Sequence, residues 1–310
     1  MGPSPTLKVS VVVPAFNEVD NIEPLLAELA TKLTGTYEVI IVDDGSTDGT
    51  YEKATAAQQR YPFVRVRRLP RNQGKTAALL AGAEIARGDY LCMFDADLQF
   101  TPEDINAQVA KLDEGYDLVT GRKTGHYEKK TVSAIYNWLA RRLFRLEVHD
   151  INALKTFRRQ VLAEISLRKD WHRYLVPLAA VRGFRVVEIP VTLRPRHAGQ
   201  SKYSSPLRIL VGLLDLIAVG FQLTFMRKPL LYFGTLGIIA LGAGLGVGVA
   251  AVVLRLLGHG FRPLLYLVML LVVTGLLLFA AGFLGESLAG MSDRLERIER
   301  LVRNQEPPKR

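Results

Sequence analysis

The chain has 310 residues, with 40 Lys and Arg against 30 Asp and Glu and a formal net charge of +10. Apolar residues make up 49%, which excludes an intrinsically disordered chain, and the single cysteine, Cys92, excludes an intramolecular disulfide framework or a multi-cysteine zinc site. The mean hydropathy of +0.14 is concentrated in the last hundred residues, so the chain reads as a soluble domain joined to a membrane segment. In chain order, Lys8–Pro14 reads as a β-branched strand, Glu18–Leu33 as a helix, Tyr37–Asp43 as a buried strand and Asp48–Arg60 as a helix. Val64–Leu69, Gly74–Arg87 and Tyr90–Asp95 continue the alternation as strand, helix and strand. Pro102 opens a further helix with Thr101 as its N-cap, and Asp117–Gly121 is a fifth strand. This order predicts an α/β fold with a mostly parallel sheet between helices, whose ligands bind beyond the carboxyl ends of the strands.

Beyond the soluble part, Pro206–Phe225 is apolar except for Arg208, Asp215 and Gln222, which fall seven apart on one helical face. Such a helix lies in the membrane interface or is buried in the domain. Pro229–Leu254 and Pro263–Gly285 carry no charge, and their 26 and 23 residues suffice for two transmembrane helices. Gly242 and Gly246, like Gly244 and Gly248, have the spacing of close-packed small residues. Basic residues flank the pair (Arg227 and Lys228 before, Arg294, Arg297, Arg300 and Arg303 after), which places the large domain and both termini in the cytoplasm. In the tail, Leu288, Met291, Leu295, Ile298 and Val302 alternate in steps of three and four, the spacing of a coiled-coil seam or of an amphipathic surface helix. The expected layout is thus a catalytic domain over 1–205, an interfacial region over 206–228, a transmembrane hairpin over 229–285 and a tail over 286–310. The membrane helices and the tail offer a route to a homo-oligomer.

The strand ends are unusually acidic. The first runs into Pro14-Ala15-Phe16-Asn17-Glu18, the second into Asp43-Asp44-Gly45-Ser46-Thr47-Asp48-Gly49, and the fourth into Asp95-Ala96-Asp97-Leu98-Gln99. Clustered carboxylates in a basic domain call for a divalent cation, and the hard oxygens of Asp95, Asp97 and Gln99 suit Mg²⁺ or Mn²⁺. Asp48 has the alternative role of a helix cap. Gly74-Lys75-Thr76 is not a phosphate loop, because Leu69 stands where the first glycine is required. The five histidines show no metal-ligand spacing, although His197 could reach a phosphate.

These motifs, together with Asn72-Gln73-Gly74-Lys75, resemble the family 2 glycosyltransferases, whose nucleotide-sugar-binding fold is called GT-A. Gly121-Arg122, the Lys129–Ser133 stretch, Phe157-Arg158-Arg159 and Gly199-Gln200-Ser201-Lys202 are similar to polyprenyl-phosphate glycosyltransferases of the dolichyl-phosphate mannose synthase type. The resemblance implies that Pro14, Asn17, Glu18 and Asp44 line the nucleotide pocket and that Gly74 and Lys75 sit over the base or phosphates. It implies that Asp95 and Asp97 hold the metal with Gln99 as an extra ligand. Arg122, Lys129 and Ser133 would hold a lipid phosphate, and Lys202 would close over the diphosphate. Asp150 is a reserve candidate for orienting sugar or phosphate, with a turn or cap as its structural role. The implied activity is inverting transfer of one hexose from a GDP- or UDP-linked donor to dolichyl or undecaprenyl phosphate at the cytoplasmic membrane face. The Gln-x-x-Arg-Trp motif of processive synthases is absent from the sequence, which argues for single transfer. Transfer to a different acceptor and a non-catalytic nucleotide-binding scaffold are the alternatives. The basic excess suits anionic lipid headgroups, and no nucleic-acid recognition motif accompanies it.

Overall fold

The computed structural model describes residues 7–124, 130–144, 146–195, 212, 214–221, 228–260 and 262–305. Lys129, His197, Gly199–Lys202 and the side chain of Ser133 lie outside the described residues. The chain divides into two compact units, Met1–Arg208 and Ile209–Arg310.

The first unit is built on a seven-stranded sheet: β1 (Val9–Ala15), β2 (Tyr37–Asp43), β3 (Val64–Arg68), β4 (Tyr90–Met93), β5 (Leu118–Thr124), β6 (Lys155–Arg158) and β7 (Val186–Thr192). Their spatial order is β3-β2-β1-β4-β6-β5-β7. Strands β1 to β4 run parallel, as do β5 and β7, while β6 runs antiparallel to both β4 and β5. The β-branched runs of β1 and β2 are buried because helices cover both faces of the sheet. Helix α1 (Val19–Lys32) buries Ile22, Leu25, Leu26 and Leu29, the spacing of one helical face. It packs on α2 (Thr50–Ala57) and α4 (Pro102–Asp113), while α3 (Lys75–Ile85) lies on β1 and β2. Gly82 permits that approach, since a Cβ there would collide with Val12. Thr101 and Asp104 close a capping box at the start of α4, with Pro102 in its first turn. Helices α5 (Lys130–Phe144), α6 (Arg159–Glu164) and α7 (Leu175–Val181) complete this unit.

The chain winds from β1 outward to β2 and β3, then returns to place β4 on the other side of β1. The direction of winding reverses between β1 and β4, so their carboxyl ends border the crevice where sheets of this kind bind ligands.

In the second unit, residues 214–221 are helical, with Leu216 and Val219 buried and Leu214, Ile217 and Phe221 exposed. A single π-helical turn over Leu230–Gly234 leads into α8 (Thr235–Leu256), and α9 runs from Pro263 to Gln305. Leu230–Leu256 and Pro263–Ser292 are long and apolar enough to cross a membrane, and protein covers little of either. A core helix of a soluble domain would be buried. The two helices meet along glycines. A Cβ on Gly237 would fall 2.7 Å from the Gly275 carbonyl oxygen, and one on Gly282 would fall 2.9 Å from the Gly234 nitrogen. Gly244 faces Leu271 and Val272, whereas Gly242 and Gly246 have open space around them. The packing face therefore runs through Gly237, Gly244 and Gly248, whose Cβ would meet Val268 at 3.6 Å, so the Gly244/Gly248 spacing faces the partner helix and the Gly242/Gly246 spacing does not. Glu286 accepts a hydrogen bond of 3.2 Å from the Leu230 backbone N–H, one of the donors a helix start leaves unmet. The 43-residue α9 carries the second apolar stretch and the tail in one uninterrupted helix.

Candidate active site

Three loops at the carboxyl edge are tied together by short polar side chains. Asp44, buried at the end of β2, accepts from the backbone N–H groups of Gln73 (2.8 Å) and Gly74 (2.9 Å). Asn17 takes a left-handed conformation after β1, donates its N–H to Ser46 Oγ (2.9 Å) and accepts from Thr47 N–H at Oδ1 (3.0 Å). Gly45 has a φ of +73°, and a Cβ there would lie 2.6 Å from the Arg71 carbonyl carbon, so only glycine allows the two loops to touch. Asp43 is fully buried, accepts from Ser46 N–H (3.2 Å) and lies 3.3 Å from Arg68 Nε. Asp48 serves the fold: it accepts from Val19 N–H and from both the N–H and the hydroxyl of Thr50. Glu18 accepts from Asn21 Nδ2 (2.6 Å), and Pro14 is half-buried in β1.

The fourth strand delivers the paired carboxylates. Lys75, the first residue of α3, sets its ammonium against Asp95 Oδ1. Asp97 is buried and accepts from Gln99 N–H (3.3 Å), around the left-handed Leu98. Gln99 donates its amide to the Arg194 carbonyl (3.4 Å), while the Arg194 N–H returns to Gln99 O (2.8 Å), so this loop is stitched to the segment after β7.

Behind Lys75, the Thr76 hydroxyl accepts from His172 N–H (3.3 Å) and lies 2.9 Å from His172 Nδ1. In the second contact the imidazole tautomer sets which group donates. Burial, then the charges of Lys75, Lys155 and Arg173, hold His172 well below the usual histidine range, so it is neutral. On the far side of the crevice, β5 presents Arg122, half-exposed and 3.7 Å from Glu188 on β7. Glu188 also lies 2.6 Å from His149 Nδ1 and accepts from the His149 N–H. Asp150 is buried 3.5 Å from Lys123 and accepts from Asn152 N–H (2.9 Å), so it shapes a turn as expected, but a buried one that also carries an ion pair.

Between these two halves lies Lys155 at the start of β6, opposite Met93 of β4 and Thr120 of β5. It is fully buried, and its ammonium has no hydrogen-bond partner among the described residues. Burial, followed by repulsion from Lys75, pulls its pKa down to about 7 against the opposing pull of Asp150 and Asp95. Sequence spacing gave no sign of Lys155, His172 or Glu188; each meets the site only through the folded sheet.

The donor set at the end of β4 fits a hard divalent cation. Asp95 and Asp97 supply carboxylate oxygens two residues apart, Gln99 follows them, and the Lys75 ammonium marks Asp95 as a place where positive charge is held. Among the described residues no further His, Cys, Asp or Glu joins them to make a closed cage. An ion bound by two carboxylates takes its other oxygens from water and substrate phosphates, the habit of Mg²⁺.

The model of the family described as "Glycosyl transferase family 2" matches residues 10–165, which contain every strand around the crevice except β7. A curated relative, dodecaprenyl-phosphate galacturonate synthase of Rhizobium johnstonii, is 33% identical over 93% of this chain and 89% of its own. The chain belongs to glycosyl transferase family 2. This glycosyltransferase also shares its fold with solved structures of glucosyl-3-phosphoglycerate synthase from Mycobacterium tuberculosis. The complex with Mn²⁺, UDP and glucosyl-3-phosphoglycerate matches at a TM-score of 0.55 and 21% identity, covering 68% of this chain and 80% of that one. The complex with Mg²⁺ and UDP matches at a TM-score of 0.56 with the same identity and coverage. The likeness establishes the GT-A-like α/β architecture of the enzyme, to which two C-terminal helices able to span a membrane are added.

Proposed function

We propose that this glycosyltransferase moves one sugar, with inversion, from a nucleotide diphosphate sugar to a polyprenyl phosphate at the cytoplasmic face of a membrane. The observation that carries the reading is the crevice itself: Lys75 on Asp95 with Asp97 at one wall, Arg122 at the other, in a chain bearing two apolar helices. The relative's printed product supports the polyprenyl phosphate acceptor and makes a hexuronate such as galacturonate the first donor sugar to test.

In this reading the loops pinned by Asn17, Asp44 and Gly74 receive the nucleotide, with Pro14 and Glu18 beside them. Asp95, Asp97 and Gln99 would hold Mg²⁺ or Mn²⁺, which supplies Lewis-acid stabilisation of the departing diphosphate. Lys75 neutralises charge on the same leaving group, and Lys202 is assigned to it from the sequence. Arg122 grips the acceptor phosphate, with Lys129 and Ser133 assigned beside it. Glu188 holds the Arg122 guanidinium in place. An acceptor phosphate oxygen attacks the anomeric carbon from the side opposite the diphosphate. A new carbon–oxygen bond forms as the old one breaks, and the electron pair leaves on the diphosphate. The nucleophile is already an anion, so the protein's task is to bring two negative substrates together in line rather than to abstract a proton. The bilayer supplies the acceptor, and the layout with catalytic unit and tail in the cytoplasm puts the crevice on the side where the donor is found.

The test is a donor screen with the full chain in lipid nanodiscs containing polyprenyl phosphate and Mg²⁺ or Mn²⁺, read by mass spectrometry of the lipid. A polyprenyl-phosphate monosaccharide is the expected product. Sugar on another lipid, or nucleotide binding without transfer, overturns the acceptor or the activity respectively.

A further inference from the structure

A buried lysine without a hydrogen-bond partner weakens a fold, because the chain loses hydration of the ammonium and gains nothing in exchange. Lys155 is in that position among the described residues, on the interior strand β6 between β4 and β5. Its place is specific. The β6 register sets it across from Met93, two residues before Asp95, and across from Thr120, two residues before Arg122. It thus lies between the wall assigned to the donor and the wall assigned to the acceptor. The charges acting on it are those of Lys75, Asp150, Asp95 and Lys123. Asp95 pairs with Lys75 and Asp150 with Lys123; both carboxylates attract Lys155 from a distance, but neither bonds its ammonium.

We infer that Lys155 is a substrate-binding cation at the floor of the crevice, whose partner is an oxyanion brought in by a substrate. The inference rests on the glycosyl-transfer reading above. Two groups share this chemistry: the carboxylate of a hexuronosyl donor, and an oxygen of the acceptor phosphate. Either would sit where the anomeric carbon and the acceptor meet, and either would convert a folding liability into binding selectivity.

The experiment compares wild type with Lys155→Met and Lys155→Arg as full chains in nanodiscs. It measures melting without substrate, UDP binding by calorimetry, and transfer from a UDP-hexuronate and the matching UDP-hexose across a titration of polyprenyl phosphate. Lys155→Met is expected to melt at or above the wild-type temperature and to bind UDP unchanged, yet to lose transfer by about a hundredfold, the scale of one lost active-site donor. Lys155→Arg should recover part of that loss. A loss confined to the hexuronate donor assigns the sugar carboxylate. A raised KM for polyprenyl phosphate with both donors assigns the acceptor phosphate. Transfer by Lys155→Met within about threefold of wild type in both arms overturns the inference, since no transition-state contact has then been lost. A Lys155→Met protein that melts lower or does not fold also overturns it, because the lysine is then structural. A wild type that glycosylates no polyprenyl phosphate overturns the functional reading instead, and the melting comparison alone then decides the role of Lys155.

Discussion

Asp97 has a visible structural task beside the metal-binding role proposed for it. Its carboxylate is buried, and one oxygen is already used to shape the turn through Gln99 N–H. Asp97→Asn keeps the size of the side chain and its acceptor oxygen while removing the charge. The variant is expected to fold and to lose sugar transfer by about a thousandfold, the upper range for one stabilising group. Transfer assays beside UDP binding with and without Mn²⁺ check this, and near-normal transfer would remove Asp97 from the metal site. The gathering of Asp95, Asp97, Asp44 and Lys75 at the carboxyl edge of the sheet was legible in the sequence, because each lies within a short polar run that directly follows or faces a strand end. His172 and Glu188 were not. Thr76 and His172 meet across 96 positions, and Glu188 gathers His149 from 39 positions away. Such pairings depend on which strands neighbour one another, and no local spacing encodes that.

At the scale of elements, the strands and helices of the catalytic unit follow their hydrophobic patterns closely, with β5 continuing past Gly121 to Thr124. The sheet order was less accessible, because an antiparallel β6 inserted between β4 and β5 leaves no mark on a run as short as Lys155–Arg158. The membrane hairpin shows the same limit. The glycine-rich stretch of α8 holds two overlapping small-residue registers, and only the partner helix selects Gly244 and Gly248 and adds Gly237 to them. Gly275 is the complementary notch, with the Gly237 carbonyl oxygen 2.8 Å from where its Cβ would be. Gly275→Leu should force the helices apart and lower resistance to unfolding in mixed micelles, with Gly242→Leu as a neutral control. Equal stability of the two variants would show that the seam contributes nothing.

For the whole molecule, the proposed layout with two spans would leave both termini on one side of the bilayer, and the basic tail supports the cytoplasm as that side. Cysteine labelling tests this with little background. The native Cys92 is buried, and burial pushes its thiol up to about 12, so it stays unreactive in the folded chain. His259→Cys, in the connection between the helices, should label only from outside intact cells, and Asn304→Cys only after permeabilisation. Labelling of both from the same side would break the hairpin topology. The two apolar helices were readable from charge and hydropathy, since a bilayer imposes length and composition on any chain that crosses it, whereas most of the expected interfacial stretch Pro206–Phe225 lies outside the described residues.

The unbroken course of α9 gives the C-terminal segment a mechanical character. At 1.5 Å per residue its 43 residues extend for about 65 Å, roughly twice the hydrocarbon thickness. If the apolar stretch of α9 crosses the bilayer as proposed, the rest of the same continuous helix extends beyond it and follows its tilt. A change in span tilt of about 10° would swing the tip by about 5 Å at a reach of about 30 Å. A fluorophore near Gln305 would therefore act as a gauge of how the anchor leans when lipid composition or bilayer thickness changes.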